Sequence, residues 1–167
     1  MKIFSADIED IRTLYISNLK KALDMERKIT KALPDMIENA SDSTLRTAFV
    51  HHLGETQGHV EKLEAILTRH LGKAETETCK VIDGLSAEAS NTIKDVSDPV
   101  LLNIALIGAA QQVEHHEIAV YGTLRRWAGL LGLHDDAATL KSIEMEEGKA
   151  DQLLSEISDR VNYEAAA

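Results

Sequence analysis

Seven side chains able to ligate a metal, Glu26, Glu55, His59, Glu114, Glu117, Glu147 and Asp151, fall where amphipathic helices place their inward residues. Burying a carboxylate costs several kcal/mol unless something positive compensates it. No Lys or Arg shares those stripes. Acidic clusters on four inward helix faces point to a pair of metal ions in a bundle core. Residues i and i+4 differ by about 40° around a helix axis and by about 6 Å along it, so one helix can aim both at an ion. Glu55 with His59, and Glu147 with Asp151, have that spacing; Glu114 and Glu117 have the i+3 spacing. The common di-iron pattern is one Glu from each of two helices and Glu-x-x-His from the other two. This chain departs from it, with Gly58 three residues after Glu55 and Ala150 three after Glu147.

A single acid on an amphipathic helix is ordinarily solvated. Here each acid is in register with Leu, Ile and Ala on both sides, on four helices at once. Glu26, Glu55, Glu114 and Glu147 are the leading candidates, followed by His59, Glu117 and Asp151. His52 either steadies a carboxylate from outside the ligand set or is a core histidine with a backbone partner. His115 and His116 flank the Glu114 stripe, and at least one should face outward. His51, His70 and His134 read as surface or helix-end residues, and Glu144 and Glu146 as solvated. Tyr15 and Tyr121 can hydrogen-bond carboxylates or simply fill core. Cys79 has no second cysteine and no histidine near it in sequence, so a buried, inert thiol is expected.

The elements that must carry these residues follow from apolar steps of three and four. Helix 1 is expected from Ser5 or Asp7 to about Asn39, with a kink or break before Pro34. Helix 2 spans about Ser43 to Leu71 and stops at Gly72. Its Gly54 and Gly58 would let a neighbouring helix or ligand come close. Val81, Ile82, Leu85, Ala89 and Ile93 form a short helix inside a long crossover. Asp98-Pro99 is a strong start signal for helix 3, which runs to about Leu131 with Gly132 as cap. Helix 4 runs from Asp135 or Asp136 to about Tyr163, and the last residues fray. Two hairpins of long helices, about 5–71 and 98–163, joined by a crossover make an all-α, ferritin-like four-helix bundle. The whole chain, 1–167, is one such domain, with a pseudo-repeat of chemistry between its hairpins.

The bulk numbers agree. A length of 167 residues fits one domain with a sizeable core. Only two prolines and 4% aromatic residues argue against an all-β fold. Acidic residues outnumber basic ones 28 to 18, for a formal charge of −10, which disfavours nucleic-acid binding. The lone cysteine allows no internal disulfide. The N-terminal residues lack a signal-peptide core, and the most apolar window, 100–110, contains Asn103 and is too short for a membrane span. A soluble, cytoplasmic protein is expected.

Three segments carry a family resemblance: His52-Leu-Gly-Glu-Thr-Gln-Gly-His59, Ala110-Gln-Gln-Val-Glu-His-His-Glu-Ile-Ala-Val-Tyr-Gly122, and Glu146-Glu147 followed by Asp151. Cys79 through Gly84 and Glu88 add a crossover match. The chain resembles, over nearly its whole length, the YciE/YciF-type family of bacterial ferritin-like proteins. That resemblance implies a dinuclear metal centre, a homodimer, expression linked to bacterial stress, and a site able to react with oxygen or peroxide. On that footing Glu55 and Glu147 bridge two ions, Glu26 and Glu114 are terminal ligands, and His59, Glu117 and Asp151 complete the shells. Hard carboxylates with at most one imidazole suit iron, and next manganese, better than copper or zinc. The competing expectation is a non-catalytic, metal-stabilised structural stress protein that acts by oligomerisation or partner binding.

Overall fold

The computed structural model describes residues 8–166. They form five helices: α1 (Ile11–Asn39), α2 (Ser43–Leu71), α3 (Lys80–Asp95), α4 (Pro99–Leu130) and α5 (His134–Ala166). Short connections after α1 and after α4 make each flanking pair an antiparallel hairpin. α1 packs on α2 and α4, and α5 packs on α4 and α2, which closes a four-helix bundle. α3, inside the crossover, lies against α1 and α4. This is the expected ferritin-like arrangement.

Local chemistry sets the helix ends. Asp10 caps α1 by accepting the Thr13 N–H at 2.7 Å. The expected caps Ser5 and Asp7 lie outside the described residues. Asp42 caps α2 through the Thr44 and Leu45 amides, and Asp98 caps α4 through those of Val100 and Leu101. Gly72 and Gly132 leave their helices at φ 76° and 70°, a left-handed geometry in which a side chain would be strained.

Three expectations change. α1 continues through Pro34, which faces solvent, without a break. A Cβ added at Gly54 or Gly58 would meet nothing within 4 Å, so neither marks a close approach within this chain. α5 remains helical to Ala166 rather than ending near Tyr163. Asp136, in the first turn of α5 at the start expected for that helix, is buried and accepts hydrogen bonds from Tyr15, Arg69 and His70. That cluster ties α1, α2 and α5 together and occupies the Tyr15 hydroxyl.

The core is a continuous column of Leu, Ile, Met, Phe and Tyr from all five helices. Asn103, the polar residue inside the most apolar stretch, accepts from the Ser41 and Asp42 amides and donates to the Ser41 hydroxyl. It pins the α1–α2 turn to α4, which holds the two hairpins in fixed register. No helix among the described residues is long and apolar enough to cross a membrane.

Candidate metal centre

Six ionisable side chains meet inside the column: Glu26 from α1, His52 and His59 from α2, Glu114 and Glu117 from α4, and Glu147 from α5. All six are buried, none more than 6% exposed. They form two overlapping groups. His52, Glu114, Glu117 and Glu147 make one, Glu26, His59 and Glu147 the other, each with ligand atoms within 4.8 Å of one another. Glu147 belongs to both.

α2 explains how one helix serves both groups. Its inward face is Leu45, Phe49, His52, Thr56, His59 and Leu63, all buried. His52 and His59 are seven residues apart, within about 20° of each other around the axis. Thr56 stands between them and satisfies its hydroxyl on the His52 carbonyl at 2.8 Å. Glu55 is three residues from His52, about 60° off that face. It is partly exposed, with its carboxylate 3.2 Å from His51 Nδ1 and 3.8 Å from His52 Nδ1. The same geometry governs α5, where Leu140, Ile143, Glu147, Leu154 and Ile157 face inward. Asp151 is about 40° off that line and turns outward to Gln111 and His115. The structure thus brings Glu26, His59, Glu114, Glu117 and Glu147 together, leaves Glu55 and Asp151 outside both groups, and adds His52.

The six are strongly coupled. His59 Nδ1 lies 2.9 Å from Glu147 and 3.7 Å from Glu26, and His52 Nε2 lies 3.2 Å from Glu114. Burial opposes charge on each imidazole, but the neighbouring carboxylates outweigh it. His52 is held up at about 9 by Glu55, Glu114 and Glu147, and His59 at about 10 by Glu147 and Glu26. Burial lifts the Glu114 carboxyl to about 8, with His52 pulling down and Glu147 pushing up. Glu117 rises well above the carboxylate range, driven by burial and then by Glu147, Glu26 and Glu114.

Hydrogen bonding tests whether metal fits. Buried atoms without a hydrogen-bond partner include both oxygens of Glu117 and of Glu147, one oxygen each of Glu26 and Glu114, both ring nitrogens of His52, and His59 Nδ1. Buried polar atoms are rarely left so, and here they converge. Four carboxylates carry the charge that two divalent cations neutralise, and two imidazoles add neutral donors. The residues fit a dinuclear centre.

Surrounding groups hold the ligand atoms in place. His59 Nε2 bonds the Glu146 carboxylate at 2.7 Å, while Lys62 and Ser142 bond the same carboxylate. Those bonds outweigh burial and keep Glu146 low, at about 2. When the ring is neutral and its Nε2–H donates to Glu146, the Nδ1 lone pair points at Glu26 and Glu147, the usual carboxylate–histidine–metal relay. Glu146 is therefore not a freely solvated acid, and Glu144 is likewise paired, with Arg125 at 2.6 Å. The signal for His52 and Glu146 was present as a seven-residue His spacing and an acid beside Glu147. Which helix faced them was not. The Tyr121 hydroxyl donates to Glu26 Oε1 from a fully buried position. Cys79 is buried as expected, but the fold brings His116 Nε2 to 3.8 Å from its sulfur.

Tyr121→Phe frees Glu26 to rotate. Metal affinity is expected to fall about 10–100-fold, as for other outer hydrogen-bond partners, with far-UV circular dichroism unchanged. Metal titration followed by isothermal calorimetry reads this directly, and unchanged affinity would remove Tyr121 from the site.

Sequence comparison supplies the family. The profile of a family described as a domain of unknown function, DUF892, matches residues 10–167. The chain belongs to that family, the YciE/YciF type. Protein YciF of Escherichia coli K12 is 33% identical over 161 residues, covering 95% of this chain and 97% of that one. The crystal structure of the E. coli stress protein YciF superimposes with a TM-score of 0.89 at 32% identity, over 93% of this chain and 99% of that one. YcfI from Rhodopseudomonas palustris gives a TM-score of 0.88 at 38% identity, over 92% and 98%. The all-helical bundle and the relationship to a stress protein are shared across nearly the full length.

Proposed function

We propose that the protein binds two first-row divalent cations, iron before manganese, and uses them to react with oxygen or peroxide in a bacterial stress response. One observation carries this: six buried ligand side chains converge from four helices with their free donor atoms facing one another. His52, Glu114 and Glu117 would hold one ion, Glu26 and His59 the other, and Glu147 both. Such a pair supplies two electrons and Lewis acidity at one place. The chain's own contribution is to surround the ligands with a Leu and Ile column, to fix the His59 tautomer through Glu146, and to orient Glu26 through Tyr121.

A second reading has support in the same burial: ions that neutralise four enclosed acids also stabilise the fold, whether or not they react. One preparation separates the two. Protein purified without chelator should contain two ions per chain by elemental analysis, mostly iron, and should consume added peroxide, or oxygen in the presence of Fe(II). Metal content and chelator-sensitive stability without turnover would favour the structural role, and absence of metal would sink both. A homodimer rests on the family resemblance alone and is read by light scattering; a hollow cage would instead indicate iron storage.

A further inference from the structure

A cavity of about 150 Å³ lies beside the acidic cluster, bounded by parts of all five helices. It exists because the helices present small residues there, Ala32, Ala48, Ala89, Ala109, Ala110 and Ala150. Elsewhere most inward positions carry Leu, Ile, Met or Tyr, which fill the column. Leu33, Phe49, Ile82 and Leu154 complete an apolar wall. An apolar cavity of this size holds a benzene ring.

Its buried polar end is formed by His52 and Glu114, 6% and 2% exposed. Neither ring nitrogen of His52 makes a hydrogen bond, nor does one oxygen of Glu114. Lys149 and His51, both exposed, also line it, so a molecule can enter from solvent. Two of its wall residues, Glu55 and Glu114, are acids, and Glu147 lies 3.9 Å from His52 just beyond. His52 already faces Glu114 at 3.2 Å and Glu147 at 3.9 Å. A carboxylate or phosphate head would therefore lose its hydration against the apolar wall without a cation of its own, whereas a hydroxyl could donate to Glu114 and pair with His52.

We infer that this cavity is a binding site for a small uncharged amphiphile, a hydrocarbon body of benzene size bearing one hydroxyl or hydroperoxyl head seated between His52 and Glu114. The walls that grip the hydrocarbon are separate from the proposed ligands, so the site goes beyond the metal reading and does not need bound metal. A bound molecule would place its head group on His52 and Glu114, two of the proposed ligands.

Calorimetric titration of the full-length, metal-free protein with benzyl alcohol tests the site, with benzoate and the variants Ala110→Leu and Ala48→Leu as comparisons. Benzyl alcohol should bind saturably and at least tenfold more tightly than benzoate. Each leucine fills the cavity from a different helix and should weaken binding at least tenfold, and if one variant does not fold the other still decides. No saturable binding, benzoate binding as tightly as the alcohol, or undiminished binding in a folded leucine variant overturns the inference. Metal uptake, measured by adding Fe(II) or Mn(II) to separate aliquots of the same metal-free preparations, keeps the two readings apart. Alcohol binding in a protein that takes up no metal sinks only the metal centre, and metal uptake without alcohol binding sinks only the cavity site.

Discussion

Glu147→Gln should abolish binding of both ions, and Glu55→Gln should leave both in place. Glu147 alone belongs to both ligand groups, so its loss disturbs every ion at once. The effect should exceed the roughly 10–100-fold loss typical of an outer hydrogen-bond partner. The glutamine keeps the volume of the side chain, so helicity should persist. Glu55 is partly exposed and engages His51 and His52 from the rim. Elemental analysis of the two purified variants decides the matter. Metal lost on changing Glu55 but kept on changing Glu147 would restore the bridging role first expected of Glu55 and remove it from Glu147.

Removing metal should destabilise the protein, and by more at high pH. Ions present at about a thousand times their dissociation constant stabilise a fold by about 4 kcal/mol. For a chain of this size about 1 kcal/mol moves the melting temperature by about 2–4 °C, so chelation should lower it by about 8–16 °C. The sign of the pH dependence follows from the titrating groups. In the metal-free fold Glu114 is raised from 4.5 to about 8, and His52 and His59 from 6.5 to about 9 and 10. Each binds its proton more tightly folded than unfolded. The stability they contribute is complete below the unfolded value and is lost as pH climbs through the folded one. Chelated protein should therefore melt at progressively lower temperature from pH 5 to pH 9. Metal must displace those same protons, so its affinity and its stabilising effect should grow over that range. Melting curves with and without chelator at several pH values test both trends. A gap that narrows as pH rises would contradict the assignment of these residues as ligands.

Apolar periodicity alone determined the helices, because a face buried in a bundle must repeat every three or four residues whatever packs against it. Capping chemistry marked their ends almost as well: Asp42, Asp98 and Gly72 act where their residue types predict. The acids at Glu26, Glu114, Glu117 and Glu147 were legible for the same reason, since a carboxylate inside an apolar stripe has few ways to survive. Rotation within a stripe was not legible. Steps of three and four are both permitted, and on α2 the chain Leu45, Ala48, His52, Glu55, His59 is as regular as Leu45, Phe49, His52, Thr56, His59. Only the neighbours of α2 decide which chain faces inward, and they chose the second, which buries Thr56 in place of Glu55 and keeps His52 and His59, common to both, in the cluster. The same ambiguity of about 40° on α5 turned Asp151 out and left Ala150 beside the cavity. Contacts between helices distant in sequence, such as Tyr121 with Glu26, His59 with Glu146 and His116 with Cys79, depend on how the two hairpins dock. No local pattern encodes that docking, because it is set by the packing of whole faces against each other.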